Sequence, residues 1–95
     1  LILQPFDQTA FVNQKIKNMP HVIVKMLSGR TDEQKQRLAE EITKVVMNIT
    51  GNGEQSVSVS IEDIEQRDWT EKVYKPDIAG NWDKLYKKPG YNPLT

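Results

Sequence analysis

The sequence predicts an α/β fold: a single β-α-β unit with parallel strands, completed by oligomerisation and followed by a C-terminal helical tail. Three observations carry that prediction. A β-branched apolar run lies at His21–Leu27, a capped helical stripe follows from Thr31, and a second alternating run, SVSVSIEDI, begins at Ser56. With 95 residues the chain has room for one small domain. Hydrophobic residues make up 37% and charged residues 27%, a lean supply for a core that must stand alone. Domains of this size bury a low fraction of their surface and often lean on a partner subunit.

The first segment, Leu1 to Asn18, is rich in glutamine and asparagine and shows no clean period. It reads as an extension preceding the domain, either a natural arm or the product of a start site placed upstream of the real one. Residues 1–19 are therefore assigned to an N-terminal extension and residues 20–95 to the domain. The opening residues lack the basic region of a signal peptide, and Gln4, Asp7 and Gln8 interrupt their apolar character.

In the first strand, Val22, Val24 and Met26 fall on one face and Ile23 and Leu27 on the other, so both faces are apolar, as in a sheet covered on both sides. Pro20 suits the mouth of that strand, where its missing N–H matters least. Ser28-Gly29-Arg30 makes a turn, and Thr31 with Gln34 forms a capping box. Asp32 and Glu33 complement the helix dipole. The apolar stripe Leu38, Ile42, Val45, Val46 and Ile49 follows at helical spacing, with Ala39 beside it, and Gly51-Asn52-Gly53 stops the helix.

The second strand points Val57, Val59 and Ile61 one way and Ser56, Ser58, Ser60 and Glu62 the other. Strand, helix, strand implies parallel strands and a right-handed crossover, with the helix on the Val57/Val59/Ile61 face. In the tail, a helical turn is expected near Trp69. A second helix is expected from about Pro76, as a first-turn proline, to Lys88, with Ile78, Trp82, Leu85 and Tyr86 on one face. Two strands and one long helix cannot cover both sheet faces, so the sequence itself asks for a second copy.

Composition excludes several function classes. The chain has no cysteine and a single histidine, which removes disulfides, thiolate metal sites and the usual zinc sets. Charge balances at 13 basic and 13 acidic residues, without the basic stripe of a nucleic-acid binder. RNA binding on the sheet would want exposed aromatic and basic residues on the strands, and Val57 to Ile61 has neither. No apolar run is long enough to span a membrane. A cytoplasmic location, no nucleic-acid partner and no membrane are expected.

The order Met19-Pro20-His21, a short strand, and then Leu27-Ser28-Gly29-Arg30-Thr31-Asp32-Glu33-Gln34-Lys35 resembles the 4-oxalocrotonate tautomerase family. The likeness covers Pro20 to about Trp69 and, more loosely, the tail. The Met-Pro-His start and the terminal KKPGY resemble the subgroup named for phenylpyruvate tautomerase. The resemblance implies a small β-α-β enzyme that uses an N-terminal proline as general acid and base, with no metal or organic cofactor. By that likeness Pro20 is the catalytic residue and Arg30, ten residues further on, binds or polarises the substrate.

Taken alone, Pro20 reads as a strand-edge proline and Arg30 as a solvated turn residue. Trp69 falls where the family has an aromatic residue walling the active site, and it fits a core tryptophan equally. Ser58 stands where founding members carry a second arginine, which disfavours a dicarboxylate substrate. It favours a monocarboxylate with a bulky apolar end, such as the enol of phenylpyruvate, and Ser58 can still donate a neutral hydrogen bond. His21 is expected to be structural or exposed rather than catalytic, and the serine row to be the polar side of a strand.

The extension bears directly on that chemistry. With Met19 bonded to Pro20, the proline nitrogen is a tertiary amide without a basic lone pair. The working enzyme is therefore expected to begin at Pro20, and the 95-residue chain to be inactive by this mechanism. Two functions stay open: a keto–enol tautomerase acting on small enol or keto acids, or a non-enzymatic oligomeric module that binds a small carboxylate because its proline is blocked. The homo-oligomer is expected to be a dimer rather than a hexamer.

Overall fold

A computed structural model describes residues 19–95; the expected extension, apart from Met19, lies outside the described residues. Strand β1 spans His21–Leu27, helix α1 spans Asp32–Thr50 and strand β2 spans Ser58–Ile64. The two strands form one sheet. The Ser58 N–H donates to the Pro20 carbonyl (3.1 Å) and the Ser28 N–H to the Ile64 carbonyl (3.0 Å), so both strands run in the same direction. This is the expected β-α-β unit.

The turn into α1 is built as its residues dictate. Gly29 has φ 122°, a backbone conformation that a side chain disfavours. The Gln34 N–H donates to Thr31 Oγ1 (3.1 Å), and the Thr31 N–H donates to Gln34 Oε1 (3.0 Å), completing the capping box. Gly51, at φ 79°, closes the helix with its N–H on the Met47 carbonyl.

By Cα packing the chain divides into two compact units. One holds the described residues to Val24 together with Arg30–Ile61, and the other holds Lys25–Gly29 and Glu62–Thr95. In the first unit, Ala39, Thr43 and Met47 of α1 line a groove with Val59, so α1 lies along the expected face of β2. No residue of α1 is fully buried. Leu38, Ile42 and Val46 are half-buried, whereas Val45 and Ile49 of the predicted stripe are exposed, Ile49 to 78%. The covered face is turned toward Ala39, Thr43 and Met47, leaving that flank bare. Ile23, on the opposite strand face from Val22 and Val24, is 53% exposed.

Two sequence expectations need correction. The second strand begins at Ser58, not Ser56, because Glu54–Ser56 forms a 3-10 turn. The Ser56 N–H goes to Gly53 and the Val57 N–H to Glu54, both at 3.1 Å, so neither is free to join the ladder. Ser56 is buried with its hydroxyl on the Gly53 carbonyl (2.9 Å), rather than on the polar side of a strand.

The tail helix also differs. A short turn at Gln66–Asp68 leads into a helix of wide, π-type turns over Thr70–Ile78, then a 3-10 stretch over Ala79–Lys84. Pro76 lies inside this helix and does not open it. A proline deletes one ladder bond and presses its ring on the preceding turn, and widened turns give that ring room. Asn81 leaves helical geometry (φ −122°, ψ 24°) and kinks this stretch, its side-chain amide donating to the Asp77 carbonyl at 3.1 Å, and the stretch ends at Lys84. Leu85 and Tyr86 therefore fall outside the helix, and Tyr86 is fully exposed.

The core of this second unit is Val73 and Tyr74, the latter 2% exposed, with the Tyr91 ring 5.5 Å from that of Tyr74. Among the described residues no helix is long and apolar enough to cross a membrane.

Candidate active site

Pro20 stands half-buried directly before β1. Its carbonyl accepts the Ser58 N–H at 3.1 Å, which ties the first peptide of one strand to the first residue of the other. Proline suits this place because the ladder there uses its carbonyl and asks nothing of its nitrogen. In the 95-residue chain that nitrogen is bonded to Met19 and is not basic.

The side chains at the same sheet end also meet. His21 Nδ1 and Ser58 Oγ lie 2.7 Å apart. Both residues are exposed, and the contact places them on one face of the sheet, away from the Val59 face that α1 lines. Pro20, His21 and Ser58 thus form one cluster within the first unit.

Arg30 is exposed and sits between the left-handed Gly29 and the capping residue Thr31. The seven residues of β1 separate it from Pro20. At ~3.3 Å per residue the strand spans roughly 20 Å, well beyond the reach of an arginine side chain. Arg30 and Pro20 of one chain therefore occupy opposite ends of β1 and do not share a site within that chain.

Trp69 belongs to the second unit and is half-buried there. Its indole N–H donates to the Tyr91 hydroxyl at 2.8 Å. With Leu27, Gln66, Thr70 and Pro93, this pair lines a cleft of about 400 Å³, large enough for an aromatic ring. The wall is largely apolar, with the indole N–H satisfied by the Tyr91 hydroxyl oxygen.

Two participants were not assigned from sequence. His21, expected to be structural or exposed rather than catalytic, is exposed and pairs with Ser58; aligning the first residues of two parallel strands brings them together. Tyr91 belongs to the KKPGY segment, which reads as turn and coil, and no local pattern indicates that its hydroxyl meets an indole in the preceding helix.

A family model described as "Tautomerase enzyme" matches residues 20–72, more than half of the chain, a stretch that begins at Pro20 and includes Arg30, Ser58 and Trp69. The chain is 42% identical over 77 residues to a probable tautomerase of Xylella fastidiosa, covering 81% of this chain and 94% of that protein. It is 39% identical over 75 residues to tautomerase PptA of an Enterobacter species, covering 78% and 99% of the two chains. A solved structure from work on the 4-oxalocrotonate tautomerase isozymes of Methylibium petroleiphilum is 32% identical, with a TM-score of 0.51 over 53% of this chain and 81% of that one. With both the β-α-β unit and the span from Pro20 through Trp69 matched, the chain belongs to the tautomerase family.

Proposed function

We propose that the protein is a cofactor-independent keto–enol tautomerase acting on small enol carboxylates, with the secondary amine of a chain-terminal Pro20 as the proton carrier. The observation that carries this reading is the Pro20–Ser58 cluster at the start of the matched segment: a half-buried proline pinned at its carbonyl, beside a hydroxyl. Burial disfavours a charged amine and lowers its pKa toward neutrality. Such an amine takes the proton from the enol hydroxyl and returns one to the adjacent carbon, giving the keto form with no net change in protons. The step needs neither a metal nor an organic cofactor.

Arg30 supplies charge-assisted hydrogen bonds to the substrate carboxylate or polarises its carbonyl oxygen. Since β1 holds it far from Pro20 of its own chain, the Arg30 that serves each Pro20 comes from a second copy. The exposed apolar residues Ile23, Val45 and Ile49 support a homo-oligomer, and the long tail favours a dimer. Ser58 donates a neutral hydrogen bond, and Trp69 provides an apolar wall. A neutral donor at Ser58 in place of a second arginine fits a monocarboxylate with a bulky apolar end such as enol phenylpyruvate, acted on in the cytoplasm.

The functional species on this reading begins at Pro20. The test follows ketonisation of enol phenylpyruvate by a chain starting at Pro20, its Pro20→Ala variant and the 95-residue chain. Only the first is expected to turn over at a high rate. Equal rates for all three would sink the amine mechanism and leave a carboxylate-binding module as the better reading. The intact mass of the natively expressed protein shows whether Met19 is retained.

A further inference from the structure

We propose that His21 is a positioning residue that sets the direction of the Ser58 hydroxyl, switching it into a donor when a carboxylate binds. The inference rests on the proposed reading in the form where Arg30 polarises the carbonyl oxygen and the carboxylate lies beside Ser58, and it concerns binding rather than the proton carrier.

A serine hydroxyl has one proton and two lone pairs. His21 Nδ1 lies 2.7 Å from Ser58 Oγ, so one of the two atoms donates to the other. When the imidazole carries its proton on Nε2, Nδ1 accepts, and Ser58 gives its only proton to the ring. The hydroxyl then presents only lone pairs to an approaching anion, which repel it. When Nδ1 carries the proton, the ring donates to Ser58 Oγ and the serine proton is released to face the anion. Both states keep the short contact, and they differ only in direction.

A carboxylate oxygen accepts and never donates, so its arrival selects the second state. The His21 ring is exposed, so the proton on Nε2 can leave to water as another arrives at Nδ1, with no net proton uptake. His21 thereby strengthens the Ser58 hydroxyl as a donor, since a hydroxyl that accepts one hydrogen bond donates a better one. The backbone bond from Ser58 to Pro20 fixes this pair against the first peptide of the matched segment. His21 need not touch the substrate; it acts through Ser58.

The chain has one histidine, so labelling with 15N-histidine reports this ring alone. The full 95-residue chain is titrated with benzoate, which cannot enolise and so isolates binding from turnover. The expected result is that Nδ1 passes from an unprotonated to a protonated nitrogen signal at saturation. Ser58→Ala is expected to abolish that change and weaken benzoate binding by about tenfold, the scale of one hydrogen bond to a charged group. His21→Leu is expected to weaken binding by a smaller factor of about two- to threefold, and the double variant by no more than Ser58→Ala alone. An Nδ1 signal that stays in one state at saturation, losses that multiply in the double variant, or no benzoate binding at all would each overturn the proposal. Because the readouts are binding and tautomer, they stand whether or not Pro20 proves to be the proton carrier, which the ketonisation assay decides separately.

Discussion

The indole N–H of Trp69 donates to the phenol oxygen of Tyr91 at 2.8 Å, across 22 residues of sequence. Tyr91 also leans on Tyr74, the most deeply buried side chain of the second unit. The coil after the last helical turn is thus fastened to the helix at two points of one ring. Tyr91→Phe removes only the acceptor, and the expected cost is about 0.5–1.5 kcal/mol. Tyr91→Ala also removes the ring contact and is expected to cost about 0.5–1.5 kcal/mol more. Urea denaturation followed by tryptophan fluorescence measures both; equal midpoints for the parent and Tyr91→Ala would show that the coil is not fastened in solution.

Lys25 donates to Asp77 at 2.5 Å in a part-buried pair. This hydrogen bond, with smaller charge contributions from Asp77 and Glu62 set against desolvation, holds the ammonium above its ordinary value of 10.5. A raised folded-state pKa means that the pair's stabilisation is complete below the unfolded value and is lost as pH rises through the folded one. Stability is therefore expected to fall in the alkaline range above about 10.5, with Asp77→Asn losing that component of the fall. Denaturation midpoints of the two proteins from pH 8 to 11.5 should converge at the alkaline end. A gap that stays constant throughout would exclude the pair as its source.

Arg30→Ala is expected to lower kcat/KM for enol phenylpyruvate by at least ~10-fold, from the loss of a hydrogen bond to a charged group. Arg30→Lys should recover only part of that, because the ammonium lacks the planar fork. Mixing decides which chain supplies the residue. Pro20→Ala and Arg30→Ala chains are each expected to be strongly impaired alone, and when unfolded and refolded together they should rise to about a quarter of the parental activity if they pair at random as dimers. No regain would place both residues in the service of one chain.

Ile49 is largely bare on the flank of α1. Ile49→Lys is expected to leave the helix and its capping box intact, since circular dichroism should be unchanged, while shifting the protein to a smaller species in sedimentation velocity. An unchanged sedimentation coefficient would remove this flank from the interface between copies.

How much of this was legible in the sequence follows from the range of the forces involved. Helix α1 could be read to its ends because Thr31, Gln34 and Gly51 act on neighbours three or four residues away. Strand β1 was legible from its β-branched alternation. The tail was misread because rules for proline assume ordinary α-helical turns, and Pro76 sits in wide ones. Ser56 carried the strand's alternation but its N–H was already committed to Gly53. Of the candidate site, Pro20, Arg30, Ser58 and Trp69 are named by resemblance. The His21–Ser58 and Trp69–Tyr91 pairs are not, because each joins residues far apart in sequence, with no periodicity linking them.

Arg30 stands on a rigid mount, with a left-handed glycine behind it and a closed capping box ahead, while its own side chain is exposed. The backbone that displays it is fixed before a neighbour arrives, so only the side chain's own rotamer entropy remains to be lost when the two meet. On the proposed reading this makes turnover a collective property. Each chain lends one end of β1 and borrows the opposite end from another, and specific activity should decline on dilution through the dissociation constant.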